Sequence, residues 1–371
     1  MKNLILGNGI NIQYGGMDNT NQSIISRATK LCKDKDFPKH IIVDDPDLIL
    51  QMIGHLFLEV QSVLKDGYDK YAISSDEKRS LQEMRDRYIG FQNLKLTDVG
   101  FEDYYLIYDL FCHKNKIVNP DKYYIRETIK RFFLHSIYNS GKVNEIYKNF
   151  PKQCYPFLSQ FDRIFTTNYD NNVETFTGKT VYYLHGAFHI KAEVYNPYSM
   201  RNQLSDKPIA DCSIDEAYYY LYSNALTDFS GFSKDFSITQ GGHANSAVEK
   251  MAIGYLENKV IRDDVDSWAN SDNMIVRNLY ESIMLKIANP DLRFDETYPL
   301  EEFNKIQDEA IIIGLSPYND TNLFDRLNQN DKIKQITYYF YNPIENTAVN
   351  SLLSSRDVEY ADVKDLWDSM K

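Results

Sequence analysis

Five short apolar runs, each stopped by a small or polar residue, constrain this chain most. Leu4 to Leu6 stops at Gly7. Arg163 to Thr167 leads into Asn168, and Val181 to Leu184 into His185-Gly186. Ala310 to Ile313 ends at Gly314, and the β-branched, aromatic Ile336 to Tyr341 ends at Asn342-Pro343. Short continuous apolar runs bounded by turn residues are the pattern of parallel strands buried on both faces. Open α/β sheets place ligands beyond the carboxyl ends of such strands. The expected fold class is therefore α/β, a Rossmann-like parallel sheet, and the residues that stop the runs are the candidate site.

The stretches between the runs read as helices. Pro46 to Leu64 carries Leu48, Ile49, Met52, Ile53, Leu56 and Val60 at helical spacing. Ser75 to Leu94, Asp103 to Cys112 and Tyr123 to Tyr138 continue the pattern, and a second helical block spans Ser213 to Asn289. His40 to Val43 reads as strand-like, with Asp44 or Asp45 as the N-cap before Pro46. Gly241-Gly242-His243 reads as a turn. These elements predict one discontinuous α/β domain from 1–30, 155–200 and 305–371, interrupted by helical insertions at 31–154 and 201–304. An insertion of that length without structure of its own would be exceptional.

Composition narrows the partners. The chain of 371 residues is 43% hydrophobic and 25% charged, the composition of a globular protein. Its net charge of −12 speaks against wrapping duplex DNA, which needs a basic face. No apolar run approaches the roughly 18–20 residues of a membrane span, and the start lacks a secretory apolar core. Cys32, Cys112, Cys154 and Cys212 are dispersed, with no C-x-x-C, so neither a disulfide framework nor zinc is expected. The expected compartment is the cytoplasm. Tyrosine is abundant, 29 residues. Its clusters Tyr104-Tyr105, Tyr123-Tyr124 and Tyr218-Tyr219-Tyr220 lie in the insertions, which are therefore expected to form homo-oligomer and partner surfaces.

The site residues carry the function. Gly7-Asn8-Gly9-Ile10-Asn11 follows the first run, where a glycine pair allows a tight turn and a close backbone approach to a diphosphate. Position 12 is isoleucine, so the G-x-G-x-x-G fingerprint is incomplete. Thr166-Thr167-Asn168-Tyr169-Asp170, His185-Gly186, Gly314-Leu315-Ser316 and Asn342 follow, all at strand ends. His189, close by, reads as a surface or packing residue.

Taken together, in this order, these segments resemble the sirtuin family, and Gly15-Gly16 falls where sirtuins carry a flexible loop. The resemblance covers the α/β portion, about half the chain. It implies NAD as the ligand. Gly7 and Gly9 would hold the diphosphate, and Asn8, Asn11 and Thr167 would belong to the same cofactor site, Thr167 standing where the family has a Gln. Asn168 would orient the nicotinamide ribose or the attacking water, supported by Asp170. His185 would act on the ribose hydroxyls or as general base. Gly314 and Ser316 would face the adenine ribose and phosphate, Asn342 the adenosine ribose, and Asp362 the adenine. The family's zinc ribbon has no counterpart, since Cys212 is the only cysteine beyond His185.

The chain looks most like the zinc-free branch of bacterial anti-phage effectors that hydrolyse NAD to ADP-ribose and nicotinamide. Within it, the chain resembles the stand-alone subunit partnered with a HerA-type hexameric motor ATPase. That resemblance implies an NAD hydrolase using NAD as substrate. The alternatives are an NAD- or ADP-ribose-binding sensor or structural subunit, a deacylase or ADP-ribosyltransferase, and a nuclease subunit.

Overall fold

The computed structural model describes residues 1–91, 93–118, 121–192, 215–293 and 296–371. The strands are β1 (Lys2–Leu6), β2 (Arg163–Thr166), β3 (Val181–Tyr183), β4 (Asp308–Ile313), β5 (Ile333–Phe340) and β6 (Val358–Asp362). They form one parallel sheet in the order β3-β2-β1-β4-β5-β6. All six lie within 1–30, 155–200 and 305–371. The structure is Rossmann-like α/β with helical insertions. In register, Leu4 stands between Ile164 of β2 and Ile311 of β4.

Alternation along β1 builds a core on each side. Leu4 and Leu6, with Ile311 and Ile313, point into the larger core. Ile5, with Ala310 and Ile312, points into the other. All three β1 residues are fully buried, which is why the run is continuous rather than alternating.

The helices before β2 are α1 (Gly9–Gly15), α2 (Asn21–Leu31), α3 (Pro46–Leu64), α4 (Ser75–Arg87), α5 (Asp103–Asn115), α6 (Asp121–Tyr138) and α7 (Cys154–Ser159). Then come α8 (Asn172–Thr177), α9 (Gly231–Glu257), α10 (Lys259–Ser267), α11 (Met274–Ala288) and α12 (Leu300–Phe303). After β4 come α13 (Thr321–Gln329), α14 (Glu345–Leu352) and α15 (Val363–Ser369). Helices α2, α3, α5 and α6 give their apolar faces to the larger core; α13 packs on the other. Helices α9, α10 and α11 share a small core of their own around Ala252, Val265 and Ile283.

Local chemistry sets several boundaries. Asp45 caps α3 by accepting from the Asp47 N–H, with Pro46 in the first turn. Ser74 and Glu77 form a capping box on α4. Helix α4 stops at Arg87, short of the expected Leu94. Gly90 there takes a left-handed backbone (φ +86°), and the Tyr88 hydroxyl turns away to Asp103. Helix α1 likewise ends where Gly16 takes φ +81°.

Two expected elements differ and one strand was not expected. His40 to Val43 is not a strand: the Ile41 and Ile42 N–H groups both donate to Pro38 O in a turn, so Ile42 is buried by folding back rather than by pairing. Gly241-Gly242-His243 is not a turn but lies inside α9; glycine weakens a helix without forbidding it. Strand β6 was missed because Val358–Asp362 is a half-buried edge with no continuous apolar run. The tyrosine clusters are divided between core and surface. Tyr104, Tyr105 and Tyr220 are buried in the larger core, while Tyr124 and Tyr219 remain exposed. Of the cysteines, Cys32, Cys112 and Cys154 are buried thiols and Cys212 lies outside the described residues. Among the described residues, α3 has the length and apolarity to cross a bilayer; its Ile49, Ile53, Leu56 and Val60 face packs into the core.

Candidate functional site

The chain runs from β1 to β2 and β3 on one side, then crosses to β4 on the other. The strand order therefore reverses between β1 and β4. That reversal opens a crevice at the carboxyl ends, the ligand position of doubly wound sheets. A cavity of about 190 Å³ lies there. Asn8 and Asn11 reach it from β1, Thr167, Asn168 and Asp170 from β2, His185 from β3, and Gly314 and Ser316 from β4.

The glycines meet backbone to backbone. A Cβ on Gly7 would fall 2.2 Å from Gly314 O, and one on Gly9 would fall 2.6 Å from Gly314 Cα. Gly314 itself takes φ +69°. The Gly7 N–H donates to Ile313 O (2.9 Å) and the Gly9 N–H to Gly314 O (3.3 Å). Both amides are spent on the β4 turn. This revises the expected role: the glycine pair locks two strand ends together instead of offering its own N–H groups to a diphosphate.

Asn168 is buried and held by its Nδ2 donating to Gly7 O (3.2 Å) and its N–H donating to Thr166 Oγ1 (3.1 Å). Asp170 is a fixed support. Its Oδ2 accepts from Asn11 Nδ2 (2.5 Å) and its Oδ1 from both the N–H (3.0 Å) and Nδ2 (2.5 Å) of Asn172. Burial raises its pKa, against those donors. Asn11 is thereby clamped, with its Oδ1 buried and unpaired among the described residues.

His185 is 3% exposed, and its Nε2 has no partner among the described residues. Burial, and then the nearby Lys234 ammonium, hold the imidazole well below its ordinary pKa, so it is neutral. Its backbone carbonyl accepts from the Leu226 N–H (2.8 Å). Gly186 follows at φ +71°, where a Cβ would strike Asn224 O at 2.2 Å. The His-Gly pair thus needs glycine for a tight crossing. His189 is half-buried against Tyr183 (4.9 Å between rings), with Nε2 3.6 Å from Glu174; it does not line the cavity.

Asn342 and Asp362 also sit at carboxyl ends, but neither lines the cavity. Asn342 Oδ1 accepts from the Ile344 N–H in a turn, and Asp362 caps α15 by accepting from the Lys364 N–H. Local backbone bonds occupy both.

Several lining residues were invisible to sequence reasoning. Arg27 of α2 spends Nε on Ser136 O (2.8 Å) and Nη1 on Asp18 O (2.9 Å). Glu102 and Asp103 enter from the start of α5, Ser230 from the start of α9, and Asp320 from the loop after β4. Asp103 is consumed by Arg87, Tyr88 and Ser230 at 2.5, 2.6 and 2.8 Å. Glu102 gives Oε1 to the buried Lys234 of α9 (2.5 Å). Burial pushes the Glu102 carboxyl up to about 7, against Lys234. Burial likewise pushes Asp320 up to about 6, again against Lys234. The only signal at sequence level is a Glu-Asp pair opening an apolar helix; Lys234 and Ser230, the partners from α9, are more than 100 residues away.

Fold and cavity together define a Rossmann-like α/β protein with a polar, carboxyl-rich cavity at its switch point, roofed by inserted helices. No family model, curated protein or solved structure matches this chain.

Proposed function

We propose that this protein is a sirtuin-like NAD hydrolase, cleaving NAD to ADP-ribose and nicotinamide. The observation that carries the reading is the buried, unpartnered Nε2 of His185 beside Asn168 in the switch-point cavity. These are the two residues that the family pattern assigns to the ribose and the water.

The charge pattern fits the same ligand. NAD carries a cationic nicotinamide ring and an anionic diphosphate. Arg27 Nη2, with no protein acceptor among the described residues, suits the diphosphate. The carboxyls of Glu102, Asp170 and Asp320 suit the cationic ring and the positive charge that develops on the sugar carbon as the bond breaks. The cavity is smaller than the roughly 300–1,000 Å³ of common ligand sites. It therefore suits the nicotinamide riboside half, with the adenosine half reaching over the β4 turn.

Asn168, held at Gly7, orients the ribose or a water through its remaining amide lone pairs. Neutral His185 hydrogen-bonds a ribose hydroxyl through Nε2. In this reading the protein is a bacterial anti-phage effector that depletes NAD, acts as a homo-oligomer in the cytoplasm, and assembles with a HerA-type motor ATPase. The test is incubation of the purified chain with NAD and an acetylated peptide, followed by mass spectrometry. Free ADP-ribose and nicotinamide are expected. O-acetyl-ADP-ribose or an ADP-ribosylated protein would replace hydrolysis with deacylation or transfer, and NAD binding without nicotinamide release would make the chain a sensor.

A further inference from the structure

The hydrolysis just proposed needs a group that takes a proton from the attacking water, and the cavity narrows the choice. Asp103 has both oxygens engaged by Arg87, Tyr88 and Ser230. Asp170 has both engaged by Asn11 and Asn172. Asp320 bends back on its own loop, with Oδ2 accepting from the Ser316 N–H (3.2 Å). His185 is neutral and a poor proton acceptor, because a useful base has a pKa near the working pH.

Glu102 remains. It precedes the first turn of α5 without capping it. It lines the cavity with Asn168 and His185, and among the described residues only its Oε1 is bonded, to Lys234. Lys234 is 1% exposed and stands close enough to His185 to depress that imidazole as well.

We propose that Glu102, brought in by the first helical insertion and aligned by Lys234 from the second, is the general base of this site. The water oxygen forms a bond to the ribose carbon while the carbon–nitrogen bond to nicotinamide breaks. The electron pair of that bond stays on the ring nitrogen and neutralises its charge. The water proton goes to Glu102 and is later released to solvent, giving ADP-ribose, nicotinamide and one proton. Lys234 is a positioning residue. It holds Oε1 and leaves the second oxygen without a bond among the described residues.

The charged and titratable groups facing Glu102 are Lys234 on α9, Asp103 on α5, Asp320 on the β4 loop, and the Tyr105 and Tyr169 phenols. Lys234 lowers the carboxyl, whereas burial and the two aspartates raise it to about 7. Wild-type turnover should therefore fall as pH drops below about 7.

This assignment rests on the hydrolase reading, and one experiment separates the two. Nicotinamide release is followed from pH 5 to 9, and NAD affinity is measured by calorimetry, for wild type, Glu102→Gln, Lys234→Met and Asp320→Asn. Glu102→Gln is expected to lower kcat at least about 100-fold, the low end of a general acid–base contribution. NAD affinity should change less than about threefold, and the acid limb of the profile should be lost. Lys234→Met should move that limb to higher pH, a change that a purely structural lysine would not produce. Asp320→Asn should keep the limb but move it to lower pH, because it removes a like charge that raises Glu102. Wild-type cleavage matched by Glu102→Gln, with the same pH profile, overturns the assignment alone. A wild-type chain that fails to bind NAD, or binds it without cleavage, overturns the hydrolase reading and the assignment with it.

Discussion

Asn168 and His185 share a cavity but differ in what fixes them. Asn168 is anchored through its amide to Gly7 O, while the His185 ring has its Nε2 free. On the hydrolase reading, removing either would leave the ribose less constrained. Asn168→Ala and His185→Ala are each expected to lower NAD hydrolysis at least about 100-fold, the usual cost of a lost positioning or hydrogen-bonding group at a reacting centre. Near-wild-type turnover in both purified variants would remove them from the mechanism. Gly7 makes a different kind of prediction. A methyl there meets Gly314 O at 2.2 Å and Leu315 Cα at 2.7 Å, both backbone and neither able to swing aside. Gly7→Ala should cost about 1–3 kcal/mol or more, the scale of overpacking, and lower the urea midpoint accordingly. An unchanged midpoint would mean that the two strand ends are not locked.

At the scale of elements, the central strands were legible because full burial on both faces leaves an unbroken apolar run, as in Leu4–Leu6 and Ala310–Ile313. Helix α3 was legible for the complementary reason: Asp45, Pro46 and a 3.6-residue apolar period all agree. The floor of the cavity followed, since Asn168, His185 and Gly314 are simply the residues after strands. The roof did not. Glu102 meets Lys234, and Asp103 meets Ser230, across more than 120 residues of sequence, so no local pattern marks them. Strand β6 failed for a milder reason, because an edge strand has only one side to bury. Helix α3 also offers a clean test of its packing. Gly54 sits in its interior, and a methyl added there would meet nothing within 4 Å. Gly54→Ala should therefore stabilise the protein by about 0.4–1 kcal/mol through the unfolded chain. A loss on chemical denaturation would show that the space is not open.

For the whole molecule, the carboxyl-lined cavity couples stability to pH. Glu102 rises from 4.5 to about 7 and Asp320 from 3.8 to about 6 on folding, both through burial. The folded state therefore keeps protons that the unfolded chain gives up. Stability from these groups is present below the unfolded values and is lost as pH rises through the folded ones. Between pH 4.5 and about 7, Glu102→Gln should lose less stability than wild type, read as denaturant midpoints across that window. Parallel curves for the two proteins would show that Glu102 does not titrate on folding.

The position of β1 carries a consequence for synthesis. It is flanked by β2 and β4, so its two neighbours lie about 160 and 305 residues further along the chain. At roughly 5–20 residues per second, the second neighbour leaves the ribosome on the order of 15–60 s after the first strand. Throughout that interval Leu4, Ile5 and Leu6 have an unfilled edge, and the sheet cannot close. Even after β2 is made, the nascent chain must carry β1 with its β4-facing edge open until β4 arrives. The cavity at the switch point, which needs both strand ends, is therefore among the last features to exist. On the proposed hydrolase reading, a partly made chain has no site with which to cleave the dinucleotide before its synthesis is nearly finished.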